Sequence, residues 1–98
     1  MLVKIHKAYR DVIAICDSEL LGKKFEEEKL QIDVKESFFN GKEADEEEIG
    51  SIMEEGKSAD ATFNIVGGKS VELALKNNLI TKENIIKIQG IPVALVLI

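Results

Sequence analysis

The sequence predicts a mixed α+β fold: a small mixed sheet of about five to six strands, opening on an N-terminal hairpin and packed by two to three helices. Three observations carry this expectation. Strand-like segments, either alternating apolar with polar residues or forming brief apolar runs, recur near both ends and in the middle of the chain. Asp45, followed three residues later by Glu48, opens an apolar stripe with helical spacing. Between residues 61 and 76 the order is strand, glycine pair, helix.

Val3, Ile5 and Tyr9 alternate with Lys4, His6 and Arg10, the pattern of a half-exposed strand. The polar group Tyr9-Arg10-Asp11 leads into the apolar run Val12 to Cys16, a more buried strand, and the two pair as a hairpin. Asp17 or Ser18 can cap a short helical segment carrying Glu19, Leu20, Leu21 and Lys24, with Gly22 limiting its length. After an acidic run, Leu30 to Val34 alternates again and reads as a strand with one wet face. Glu36 to Gly41 reads as a loop because of its Asn-Gly pair, although it holds Phe38 and Phe39.

The second helix runs from the Asp45 cap through Ile49, Ile52 and Met53, with Gly56 placed to end it. Ala61 to Val66 follows as a strand. Gly67-Gly68 breaks it, and Lys69 to Lys76 forms a helix that Asn77-Asn78 stops. Ile85 to Ile88 is a brief strand, Gln89-Gly90 a tight turn, and Val93 to Ile98 a strand covered on both faces. Pro92 sits near the start of that run, where a missing backbone donor is tolerated.

Residues 1–98 read as one compact domain, since 98 residues can bury a single core without disulfides or metals. A hydrophobic fraction of 45% with 32% charged residues is that of an ordinary globular chain. The lone cysteine, Cys16, lies in an apolar strand and reads as a buried structural thiol. With no secretory signal pattern and no apolar stretch near the ~20 residues a membrane span requires, the expected location is the cytoplasm, with no membrane partner.

Charge is unevenly spread over the net −5. Residues 26–55 hold twelve acids against three lysines, whereas the segments on either side are each net positive by two. This acidic block reads as solvated faces that leave a basic face elsewhere, so nucleic acid is disfavoured without being excluded. With one histidine, His6, and one cysteine, the chain has no material for a zinc site, and we expect no cofactor and no metal.

The segment with chemistry is Gly67-Gly68-Lys69-Ser70. Glycines ahead of a helix allow unusual backbone angles, and the helix start presents unpaired N–H groups with partial positive charge. Lys69 and Ser70 would add an ammonium and a hydroxyl, so a phosphate or carboxylate could be held there. A phosphate-wrapping P-loop is excluded, because Phe63 stands where its first glycine belongs, and the third spaced glycine of a dinucleotide fingerprint is missing. The plainer alternative is a tight structural turn with Ser70 helping to cap the helix. Phe38 and Phe39 have two readings as well: folded onto the core, or exposed for stacking or partner contact.

Taken in order, Ile32-Asp33-Val34 to Glu36-Ser37-Phe38-Phe39-Asn40-Gly41, then Phe63-Asn64-Ile65-Val66-Gly67-Gly68-Lys69-Ser70-Val71, then Gly90-Ile91-Pro92 resemble a family of small uncharacterised archaeal proteins of about this length, a domain of unknown function. The resemblance covers nearly the whole chain. It implies an archaeal cytosolic protein and supplies no reaction.

For function, the leading expectation is a non-enzymatic cytosolic binding module that uses Gly67 to Ser70 for a phosphate-bearing ligand or RNA. The alternatives are a small phosphate-handling enzyme in which Asp33 or Glu36 handles a proton beside Lys69, and a protein-protein interaction module with a purely structural Gly67-Gly68 turn. Partners open at this stage are RNA, a nucleotide, a protein, or a second copy joined through an uncovered sheet edge.

Overall fold

Short strands cannot satisfy their backbone groups alone, so they must lie side by side, and their apolar faces must then be covered. The computed structural model describes residues 1–97. They form β1 (Leu2–His6), β2 (Val12–Cys16), β3 (Lys24–Glu27), β4 (Leu30–Asp33), α1 (Glu36–Phe39), β5 (Lys42–Glu43), α2 (Glu46–Ser58), β6 (Thr62–Val66), α3 (Gly68–Lys76), β7 (Ile85–Ile88) and β8 (Ile91–Val96). Six strands make one mixed sheet in the order β5-β1-β2-β6-β8-β7, and β3 with β4 forms a separate hairpin. The expected α+β class, strand number, helix number and N-terminal hairpin are all present.

β1 and β2 pair antiparallel from Leu2↔Cys16 to His6↔Val12, and β2 pairs parallel with β6 from Val12↔Thr62 to Cys16↔Val66. The alternation of side chains then sorts the core into two layers. Ile13, Ile15, Phe63 and Ile65 pack under α2 and α3 with Ile49, Met53, Val71 and Ala74. Ala14, Cys16 and Val66 face the other way, beneath Leu20, Val34 and Phe39, with Phe25 and Ile32 of the small hairpin packed against them. α2 and α3 thus cover one face of the sheet, and the β3–β4 hairpin with α1 the other.

Several elements depart from the sequence reading. The segment after Asp17 is only a 3-10 turn, Ser18–Leu20. Gly22 takes φ +83, and its N–H donates to the Val34 carbonyl at 2.7 Å, turning the chain into β3. β3 itself is disguised by its glutamates, and the cross-strand pair Phe25↔Ile32 supplies its apolar contact. Residues 36–39 form a one-turn helix instead of a loop.

Gly56 does not stop α2. It lies inside the helix, buried, because a Cβ there would come 2.6 Å from Phe63 Cζ and 2.8 Å from Ile13 Cδ1. The cap at the other end is as expected, with Glu48 N–H donating to Asp45 Oδ1 at 2.9 Å. The strand expected over Val93 to Ile98 is also corrected. β8 starts at Ile91, ends at Val96, and leaves Leu95 half-exposed on the hairpin side; Ile98 lies outside the described residues. Among the described residues no helix is long and apolar enough to cross a membrane.

Candidate functional site

At the Gly67 turn, β6 ends and α3 begins without a side-chain cap of its own. The cap arrives from β2. The Lys69 N–H donates to Asp17 Oδ2 at 3.1 Å, the Ser70 N–H to Asp17 Oδ1 at 2.9 Å, and Ser70 Oγ to Asp17 Oδ1 at 2.7 Å. Asp17 is 6% exposed and Ser70 is fully buried. A carboxylate can sit there because helix N–H donors and the helix dipole replace its lost water. The Asp17 N–H in turn donates to the Val66 carbonyl at 3.0 Å, which fixes the carboxylate opposite the turn.

Gly67 makes room for this contact. Its φ is +113, and a Cβ would lie 2.6 Å from each Asp17 carboxylate oxygen. Gly68 has nothing within 4 Å of such a Cβ. Lys69 is exposed and lines a shallow recess with Glu46, Glu72, Leu73 and Lys76. Neither Asp33 nor Glu36 lines that recess, so the pairing a phosphate-handling enzyme would use is not assembled there.

Phe39 is buried beneath the sheet. Phe38 is half-buried with its ring stacked on His6, centroids 4.6 Å apart at 16°, and the His6 Nε2–H donates to the Phe38 carbonyl at 2.9 Å. Lys4 Nζ donates to the Ser37 carbonyl at 3.0 Å. The two phenylalanines therefore anchor α1 to β1.

Cys16 is fully buried, and burial, with a smaller contribution from the Asp17 charge, pushes its thiol up to about 11. A thiol so placed is protonated at neutral pH and is a poor nucleophile. Among the described residues no cluster of three or more His, Cys, Asp or Glu could hold a metal ion.

A different concavity lies between the β3–β4 hairpin and the outer strands of the sheet. It has a volume of about 340 Å³. Leu30 and Ile32 form one wall, and Ile86, Val93 and Leu95 the other. Asn64 stands in the register between Ala14 and Leu95, and Gln31 and Asn84 complete the polar lining. None of its twelve lining residues is charged, in a chain that is 32% charged. Ile86 and Leu95 are 51% and 50% exposed, so the rim is apolar as well as the interior.

Sequence reasoning missed this groove. Its signal is Asn64, an amide in the middle of an otherwise apolar strand, but the apolar run of the partner strand reads as covered on both faces.

Comparison with known proteins agrees with the fold. The crystal structure of an uncharacterized conserved protein from Methanopyrus kandleri superimposes with a TM-score of 0.81 at 22% identity, over 96% of this chain and 87% of that one. No curated protein matches the chain. The sequence model of a family described as Protein of unknown function (DUF424) matches residues 6–98.

Proposed function

Because the chain belongs to the DUF424 family, whose function is unknown, we propose its role from its own surface: a non-enzymatic protein-interaction module whose groove takes a neutral, apolar segment of a partner. The observation that carries this reading is the uncharged lining of the groove. Ligand pockets of a few hundred Å³ with apolar walls and a few amides favour ligands of the same character. A peptide offers both, in its apolar side chains and its backbone amides. A phosphate-bearing ligand would find no lysine or arginine there.

The Gly67 turn supports the same choice. Its two helix N–H donors and the Ser70 hydroxyl already serve Asp17, so an entering phosphate would meet an occupied site and a like charge. Under this reading the turn is structural, and the RNA and nucleotide alternatives lose the donors they were built on. A cytoplasmic setting is part of the proposal, supported by a single buried cysteine that cannot pair within the chain.

The test is an amide-resolved NMR titration with a capped Ser-Val-Ile-Val-Ser peptide, inorganic phosphate and a short RNA. Saturable shifts at Asn64, Ile86 and Leu95 with the peptide, and a silent Gly67 to Ser70 turn with phosphate, are expected. Saturable phosphate or RNA shifts at Gly67 to Ser70 with a silent groove would overturn the reading and restore the anion site.

A further inference from the structure

β7 ends the sheet, and among the described residues no strand pairs with its outer edge; at its far end the Gln89 N–H donates to Glu27 Oε1 of β3 at 2.6 Å. Gln89 and Gly90 both take positive φ, so β7 and β8 are joined by a two-residue hairpin loop of the type that matches strand twist. In such a hairpin Ile88↔Ile91 and Ile86↔Val93 carry the ladder bonds, while Lys87 faces Pro92, which has no N–H to give. The backbone groups of Ile85 and Lys87 therefore point away from β8. The Ile85 N–H is used by the Lys82 carbonyl, leaving the Ile85 carbonyl and both groups of Lys87 at the free edge.

We infer that a second copy of this chain pairs antiparallel with β7, about a two-fold axis at Ile86. Antiparallel self-pairing must place one residue opposite itself. Centred on Lys87, it would set two ammonium groups face to face, which is unfavourable. Centred on Ile85, it would pair only one further residue of the strand, because the chain before Ile85 is a 3-10 turn.

Centred on Ile86, it places Ile85 opposite Lys87 of the other copy, and each Lys87 N–H donates to the other copy's Ile85 carbonyl. The two half-exposed Ile86 side chains then meet at the axis as a close, non-hydrogen-bonded pair. Lys87 then lies diagonally from Lys87 of the other copy instead of directly opposite it, which eases the repulsion of a Lys87-centred pairing. The opposite edge of the sheet offers no such template, since β5 is only two residues long and is flanked by the Lys42–Glu48 ion pair.

This pairing goes beyond the protein-binding reading and does not depend on it. It shares Ile86 with the groove rim but leaves the floor at Asn64 and the rim residue Leu95 untouched, so Leu95→Ser, which alters the groove and not the edge, keeps the two readings distinguishable.

Two measurements test it. Light scattering on the purified chain, from about 10 μM to about 1 mM to allow for a small and weak interface, should show the mass rising toward twice that of the monomer. Lys87→Pro removes the outward-facing donor together with the exposed lysine side chain while sparing the ladder bonds to β8, and Ile86→Ser removes the apolar contact. Each should weaken the dimer about tenfold or more, with the monomer's amide spectrum otherwise retained.

In the second, Ile86→Cys should cross-link to its own copy on mild oxidation, because residues facing in a non-hydrogen-bonded pair lie within disulfide reach. Leu95→Cys, on an inner strand, should not. A chain that stays monomeric throughout, a dimer indifferent to both substitutions, or cross-linking at 95 and not at 86, overturns the inference whatever the peptide titration shows.

Discussion

The backbone of Gly67 lies against the carboxylate of Asp17 so closely that no side chain fits between them, and that contact joins the end of β2 to the start of α3. The two glycines of the turn are therefore not equivalent. Gly67→Ala forces a Cβ into the carboxylate at a φ of +113 and should cost about 2–4 kcal/mol. Gly68→Ala places a methyl in open space at the first turn of a helix and should stabilise by about 0.4–1 kcal/mol through the unfolded chain. Denaturant unfolding of the two variants checks the contrast, and equal losses would show that the carboxylate contact is not what makes Gly67 necessary.

Removing the carboxylate itself leaves two N–H groups and a buried hydroxyl without a partner. Asp17→Ala should cost about 2–4 kcal/mol, since each orphaned buried donor carries a desolvation penalty of about 1–3 kcal/mol and some will be reached by water. Asp17→Asn keeps one acceptor oxygen and should lose about half as much. Equilibrium unfolding separates the two. If Asp17→Ala instead bound inorganic phosphate and recovered stability with it, the turn would be shown to hold an anion whenever its internal one is withdrawn.

What the sequence reveals and conceals here follows the range of the interactions. The strand, glycine and helix order at residues 61–76 was legible because it rests on local periodicity and backbone freedom. The identity of the helix cap was not, because Asp17 lies 53 residues from Ser70 and had an equally good local role as a cap for the next turn. Gly56 showed the same ambiguity: a glycine near a helix end reads as a stop, and only the tertiary approach of Phe63 and Ile13 explains it as a close contact. β3 was hidden because a lysine and two glutamates mask the single apolar residue, Phe25, that faces inward. The groove was hidden because burial of a strand's second face depends on how far the β3–β4 hairpin reaches across the sheet.

The thiol of Cys16 gives a pH-dependent prediction. Burial pushes its pKa from the ordinary thiol value of 9.0, which the unfolded chain is taken to have, up to about 11, so the folded state favours the neutral form. The stability this contributes is complete below pH 9 and is lost as pH rises toward and through 11. Native protein at pH 8 should react with an aromatic disulfide reagent only as fast as it unfolds, and stoichiometrically in denaturant. Cys16→Ala should flatten the alkaline limb of the stability profile. Rapid labelling of the native state would mean that β2 opens locally on its hairpin-facing side.

The groove separates binding from folding. Ile86 and Leu95 each have about half of their surface in water already, so replacing either with Ser forfeits only part of the ~1.5–3 kcal/mol that full burial of such a side chain is worth. Stability losses of about 1 kcal/mol or less are expected for Leu95→Ser and Ile86→Ser. Peptide-induced shifts at Asn64 should nevertheless vanish, because these two side chains form the apolar rim through which a partner must pass. Asn64→Val tests the floor in the opposite sense: it removes a half-buried amide from an apolar strand, should leave stability unchanged or raise it by up to about 1 kcal/mol, and should still weaken the peptide response. A variant at any of the three positions that loses stability and binding in step would make the groove a part of the core, whereas loss of binding at intact stability marks it as a surface kept apolar for a partner.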